Sequence, residues 1–195
     1  DKKHVQKHKG CHNLKSSWML CANLYFPFYA DKPLLASFLK KYVEPKINTI
    51  DQIELEYAEE GDMSPSKLLG EPVGSRGANQ TSPDIAFIVN GGKGLVLVEN
   101  KYTEHSFYEC SGRKHSPYPK KCLDIHAVLH DLDNTCYQLR WEEDGRPNRK
   151  YWDYLAISDY GKRTLKRCPA AYSGCQLFRQ QALAEGIAKS SKYEF

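Results

Sequence analysis

The sequence predicts an α/β fold, with a central sheet covered by helices on both faces. Residues 84–102 read as two apolar strands around a glycine turn, and both faces of that hairpin are apolar. A sheet with two apolar faces must be covered twice, which open antiparallel sheets do not require. Two amphipathic helical patterns are available as cover. Leu35, Phe38, Leu39 and Tyr42 recur at spacings of three and four, and Leu177, Phe178, Gln181, Ala184, Ile187 and Ala188 do so over residues 174–189.

Taken in order, residues 1–13 form a polar, basic arm, and residues 14–195 read as a single domain. Leu14 to Phe28 is densely apolar, with Ser16 or Ser17 available as a helix cap and with Pro27 and Pro33 as breakers. A second helix is expected over Leu34 to Val43, ended by Pro45. Ile50 to Tyr57 alternates, with Ile53, Leu55 and Tyr57 on one side and Glu54 and Glu56 on the other, which is a strand signal. Residues 58–82 read as loop, with a short helical turn after Ser64-Pro65. Beyond the hairpin, residues 103–172 have the character of an inserted segment: loop to 122, a helix over 123–139, a charged turn at 142–150, and a short strand or helix start at Tyr151 to Ile157. A strand is expected at 193–195. The chain opens on Asp1 rather than Met and stops within that strand, so a fragment is expected.

Lys and Arg equal Asp and Glu over residues 1–100, 12 against 12, and exceed them over 101–195, 16 against 12. The net +4 therefore lies in the second half, which suits a polyanionic partner without requiring one. No apolar run approaches the roughly 20 residues that span a bilayer, and no signal peptide is visible. Seven cysteines, an odd number, point to reduced thiols or metal ligands rather than a disulfide framework, and so to a reducing, cytoplasmic setting.

The hairpin carries the chemistry. With Gly91-Gly92 as a two-residue loop, Asn90 pairs with Lys93 and Asp84 falls opposite Glu99. Glu99 and Lys101 are two apart and share a face. Opposed side chains have Cβ atoms about 4.5–5.5 Å apart, so two carboxylates and an amine meet at one strand end. Like charges so placed repel, and a divalent cation between them reverses the sign. The competing structural reading is a strand end with Lys101 salt-bridged to Glu99 or Asp84.

Pro83-Asp84, then Glu99-Asn100-Lys101 after fourteen residues, resembles the PD-(D/E)XK nuclease superfamily. The resemblance implies a restriction-endonuclease-like fold, a mixed central sheet flanked by helices, and Mg²⁺- or Mn²⁺-dependent hydrolysis of DNA phosphodiesters. It implies Asp84, Glu99 and the main-chain carbonyl of Asn100 as metal ligands, and Lys101 as catalytic. An upstream acidic residue often joins such sites, here Glu56 or Glu54, with Glu56 preferred. RecB-type exonucleases of this superfamily carry Gln-x-x-x-Tyr on a following helix. Gln176 matches as an accessory residue, but Gln180 stands where the Tyr is expected. Arg179, Arg113 and Lys114 are the expected DNA contacts.

Some exonucleases of the superfamily also hold an iron–sulfur cluster on four cysteines. Cys110, Cys122, Cys168 and Cys175 are the corresponding second metal site here, for a cluster or Zn²⁺, with Cys21 or Cys11 as an upstream alternative. They lack a tight C-x2-C pair. Buried free thiols are the alternative. Cys122, His126 and His130 would share a face if helical. Trp141, Tyr151, Trp152 and Tyr154 among Arg140, Arg146, Arg149 and Lys150 suit single-stranded nucleic acid or, equally, a core. The expected function is a metal-dependent deoxyribonuclease. The alternatives are an inactive nucleic-acid-binding module on the same fold and a zinc- or cluster-stabilised structural protein.

Overall fold

The computed structural model describes residues 12–13, 15–76, 79–114, 118–139 and 148–195. The expected basic arm lies almost wholly outside the described residues, as do Cys11, His115, Arg140, Trp141 and Arg146.

Helix α1 spans Ser17–Tyr25, with Ser16 at its N-cap, and a 3₁₀ turn at Phe26–Tyr29 follows. Helix α2 spans Lys32–Tyr42. Asp31 caps it, accepting a bond from the Leu34 amide at 3.1 Å. Pro33 was expected to break the chain here. It lies instead in the first turn of α2, where a missing N–H leaves no helical bond unmade. Strand β1 is Ile50–Leu55, and Pro65–Leu69 forms the short helix α3 expected after Ser64-Pro65. Strands β2, Ile85–Val89, and β3, Gly94–Val98, form the hairpin.

The hairpin loop is four residues, not two. Val89 pairs with Gly94, the Lys93 amide donates to the Val89 carbonyl at 3.0 Å, and Asn90, Gly91 and Gly92 all have positive φ. Asn90 tolerates that conformation because its side chain is bonded across the chain: Oδ1 accepts from the amides of Asn48 and Thr49, and Nδ2 donates to the Lys46 carbonyl. Opening the loop by one residue on each side leaves the register unchanged. Ile85 faces Val98 and Ala86 faces Leu97, as the two-residue loop also requires.

Among the described residues five short helices follow: α4 Tyr118–Lys121, α5 Ile125–His130, α6 Leu132–Thr135, α7 Tyr151–Tyr154 and α8 Asp159–Thr164. The single helix expected over 123–139 is interrupted at Asp131. That residue has φ −146° and ψ 72°, and its carboxylate caps α6 at the Asn134 amide. Helix α8 was not anticipated from sequence. Its signal is Ser158, whose hydroxyl accepts from the Gly161 amide at 3.1 Å. After a π-helical turn at Ala170–Gly174, α9 runs over Cys175–Lys189, close to its expected span.

Among the described residues the sheet is three-stranded and antiparallel, in the order β1-β2-β3, rather than mixed. The three strands are neighbours in sequence, so none of the pairings described needs a parallel crossover. Residues 193–195 form no strand. They do return to the free edge of β3, where the Glu194 amide donates to the Lys93 carbonyl at 2.7 Å and the Leu95 amide to that of Phe195 at 3.1 Å.

Both faces of the sheet are covered, as the alternation demanded. Ile85, Phe87 and Val89, with Val96 and Val98, pack under Leu35, Ala36 and Leu39 of α2 and Cys21 of α1. On the opposite face Leu95 and Leu97 pack with Ala182, Leu183 and Ile187 of α9, and with Leu69 and Tyr151. Trp152 and Tyr154 are partly buried and pack, with Phe178, against the core clusters, in line with the core reading of those rings. Among the described residues no helix is long and apolar enough to cross a membrane.

Phe87 is fully buried, with the Tyr25 ring edge-on at 5.4 Å. Phe87→Ala is expected to cost about 3–5 kcal/mol in urea unfolding. Leu34→Ala, at a position 57% exposed, should change stability by less than about 0.5 kcal/mol.

Candidate active site

The register that orders the core also sets the chemistry at one end of the sheet. Leu55 pairs with Ile85, and Ile85 with Val98. The next residues outward are Glu56 after β1, Asp84 before β2 and Glu99 after β3. The Glu56 amide donates to the Asp84 carbonyl at 2.9 Å, which holds the first two side by side. Glu56 has φ +48°, a left-handed conformation uncommon for a residue with a side chain. Such strain marks positions that the surroundings hold in place. Glu54, the other upstream carboxylate considered, pairs instead with Arg76. The structure thus separates the two, and Glu56 is the one that joins Asp84 and Glu99.

Two of the three carboxylates are held by the chain itself. Asp84 Oδ2 accepts the Asn100 amide at 2.8 Å. The Asn100 side chain turns toward α1, accepting from the Tyr25 hydroxyl at 3.4 Å and donating to the Cys21 sulfur at 3.3 Å. Glu99 is bound at both oxygens: Lys101 Nζ lies 2.5 Å from Oε1, and Gln180 Nε2 donates to Oε2 at 2.5 Å. Lys101 also lies over the Phe107 ring, 5.4 Å from its centroid.

Gln180, which replaces the expected Tyr, therefore reaches the centre of the site. Its position one turn beyond Gln176 on α9 was the available signal. Gln176 lines the same cleft, and its buried side-chain oxygen has no hydrogen-bond partner among the described residues.

The electrostatics follow from crowding. Burial, then the charge of Glu99, pushes Asp84 up to about 6, against the opposing pull of the Asn100 amide and Lys101. Burial, then Asp84 and Glu99, pushes Glu56 up to about 7. Both groups resist losing their protons because burial and the neighbouring carboxylates disfavour the charged form, and Lys101 offsets that only in part, short of full balance. A hard divalent ion would supply that balance, and carboxylate oxygens are the donors Mg²⁺ and Mn²⁺ favour. Among the described residues, no group of three or more His, Cys, Asp or Glu side chains stands, as placed, where it could hold a metal ion. A carboxylate has about four acceptor sites, so Glu99 can keep Lys101 and Gln180 while turning a lone pair to a cation.

The remaining expected residues divide. Arg179 lines the cleft, but its Nε bonds Glu71 and Thr81 at 3.0 Å each and its Nη2 pairs with Glu71. Glu71 is buried and also takes the Tyr151 hydroxyl at 2.8 Å, so this network ties α9 to the loop before β2. Arg113 pairs with Glu109 at 3.0 Å and stacks over Tyr172, and Lys114 is exposed beside it. Cys122 precedes α5 and is buried while His126 and His130 are exposed, so the three do not share a helix face. The cleft itself measures about 440 Å³ and is bordered by Glu56, Asp84, Lys101, Gln176, Arg179 and Gln180.

A family model described as restriction endonuclease associating with ARP matches residues 1–194, and the chain belongs to that family. No curated protein and no solved structure matches the chain.

The raised carboxylates give a pH signature. Folded Asp84 and Glu56 hold protons to about 6 and 7, whereas unfolded carboxyls release them near about 4. The stability they contribute is present below the unfolded range and is lost as pH rises through 6 and 7. In EDTA, Glu56→Gln should flatten the fall in urea stability between about pH 5 and 8, by on the order of 1–3 kcal/mol. An identical slope in wild type and variant would contradict this electrostatic reading.

Proposed function

We propose that this member of a restriction-endonuclease family is a metal-dependent deoxyribonuclease acting through a PD-(D/E)XK site. The observation that carries the reading is the convergence of Glu56, Asp84 and Glu99 at adjacent strand ends, with Lys101 on Glu99. Asp84, Glu99, Glu56 and the Asn100 main-chain carbonyl would hold Mg²⁺ or Mn²⁺. When bound, the cation neutralises charge on the scissile phosphate and eases formation of the attacking hydroxide.

The chain's own groups do the rest. Lys101 holds an ammonium beside the reacting phosphate, where negative charge grows as the water oxygen bonds to phosphorus and the ester oxygen leaves. Gln180 fixes the Glu99 carboxylate, so that it does not reorient as Lys101 turns to the phosphate. Gln176 offers an unpaired acceptor to the attacking water or to a base edge. Lys114, exposed, suits a contact to the DNA backbone. Arg113 and Arg179 are committed to Glu109 and Glu71, and support the elements that flank the cleft.

A second reading has its own support. Both Glu99 oxygens are already bonded within the chain, as expected of a site that binds nucleic acid without cutting it. The two readings separate in one assay on linear, circular and single-stranded DNA with Mg²⁺, Mn²⁺ or EDTA. A nuclease cleaves in either metal and not in EDTA, and Asp84→Ala and Lys101→Ala each lose roughly 10²–10³-fold or more. Cleavage that survives both substitutions would sink the assignment. Metal-independent binding with no cleavage favours the inactive module.

A further inference from the structure

Away from the acidic sheet end, one small cavity is bordered by Cys110, Cys122, Cys136, Cys168 and Cys175. Each comes from a different junction in the chain: before the 3₁₀ turn at Ser111–Lys114, after α4, after α6, after α8, and at the start of α9. Four of these were grouped from sequence; Cys136 is added by the fold. Cys110, Cys122 and Cys168 are buried, none of the five forms a disulfide among the described residues, and Cys110 hydrogen-bonds Cys175. Main-chain bonds draw the junctions together, with the Cys168 amide on the Cys122 carbonyl at 3.1 Å and the Cys110 amide on that of Ala170 at 2.9 Å. The Cys110 sulfur also accepts the Gly112 amide at 3.4 Å and Gln138 Nε2 at 3.0 Å. These N–H donors favour the thiolate, the form that binds metal, at Cys110; the other four thiols are pushed up, Cys122, Cys136 and Cys168 by burial and Cys175 by its bond to Cys110, and ionise only as a metal takes the place of the proton.

The surrounding segment is built of helices four to six residues long, too short to persist alone. Besides the cysteines, its buried residues among those described are Ile125, Val128, Ala170 and Ala171, with Leu129, Leu132, Trp152, Leu165, Tyr172 and Phe178 partly buried against them. An ion held among the cysteines would tie these short elements to one another. The cavity is about 20 Å³, room for about one water-sized sphere. That suits a single ion better than a multi-atom cluster.

We propose that four of these five thiols form a tetrathiolate Zn²⁺ site that fastens the elements of the short-helix segment together. Cys110, Cys122 and Cys168 are three of the ligands, and either Cys136 or Cys175 is the fourth. As they stand, the described thiols form no group of three or more placed to hold an ion, so binding requires them to be drawn inward. Each ligating thiol gives its proton to solvent, so affinity falls as pH falls.

The test is zinc, iron and acid-labile sulfide content of the full chain, grown with zinc and purified without chelator. One zinc per chain is expected, with a Co²⁺-substituted form showing thiolate charge-transfer absorption, and with the melting temperature lowered by a strong chelator and restored by Zn²⁺. Cys110→Ser, Cys122→Ser and Cys168→Ser should each empty the site; of Cys136→Ser and Cys175→Ser, one should empty it and the other not. Cys21→Ser, outside the cavity, should keep the metal. Asp84→Ala should also keep it, so failure of the nuclease reading leaves this result intact. Wild-type protein with no zinc and a melting temperature indifferent to Zn²⁺ and chelator would overturn the proposal, without depending on any variant folding. Iron with sulfide in place of zinc would overturn the single-ion assignment, as would zinc retained in all five serine variants.

Discussion

The register of the β2–β3 hairpin is the constraint on which the rest depends. Side chains alternate along a strand, so a slip of one residue would exchange the two apolar faces and separate Asp84 from Glu99. The register is fixed twice. The alternating core holds it from within, with Phe87 and Val89 under α2 and Leu95 and Leu97 under α9. Asn90 holds it at the turn, through its bonds to residues 46, 48 and 49. The core therefore stabilises the sheet, and the sheet places acidic groups together that would otherwise repel.

That placement has an electrostatic cost, visible in the raised proton affinity of Asp84 and Glu56. The ion pair of Lys101 with Glu99, offered by the sequence as a rival to the active-site reading, is present in the structure. It does not by itself decide between them. A structural salt bridge would leave Asp84 and Glu56 without a reason to be crowded beside it. On the proposed reading, a bound cation would give all four groups one purpose, and Lys101 would be the charge that partly balances the carboxylates. The Glu71–Arg179–Tyr151 network, also buried, differs because its charges are matched within it. It holds the cleft wall rather than inviting a ligand.

Much of this was legible in the sequence where a short-range rule applied. Strand alternation gave the two-faced hairpin, and helical spacing gave α2 and α9. The loop length was misjudged without consequence, because Asn90 and Lys93 leave the strands together and keep the pairing. The break at Asp131 and the helix capped by Ser158 were missed because capping side chains compete with apolar periodicity, which is weak in such short elements. Gln180 and Cys136 were undervalued for a different reason. Their roles depend on which distant elements α9 and the short-helix segment meet, and no local pattern encodes that. Family membership supports the restriction-endonuclease reading of the chain, while the roles of its residues rest on geometry.

The most direct measurement is anomalous diffraction from crystals soaked in Mn²⁺, collected at the manganese edge. The account predicts a peak at the strand ends, with carboxylate oxygens of Asp84 and Glu99 in its inner sphere. It also predicts that the peak is lost in Asp84→Ala. Crystals with manganese elsewhere, or with no peak between those two carboxylates at saturating Mn²⁺, would contradict it.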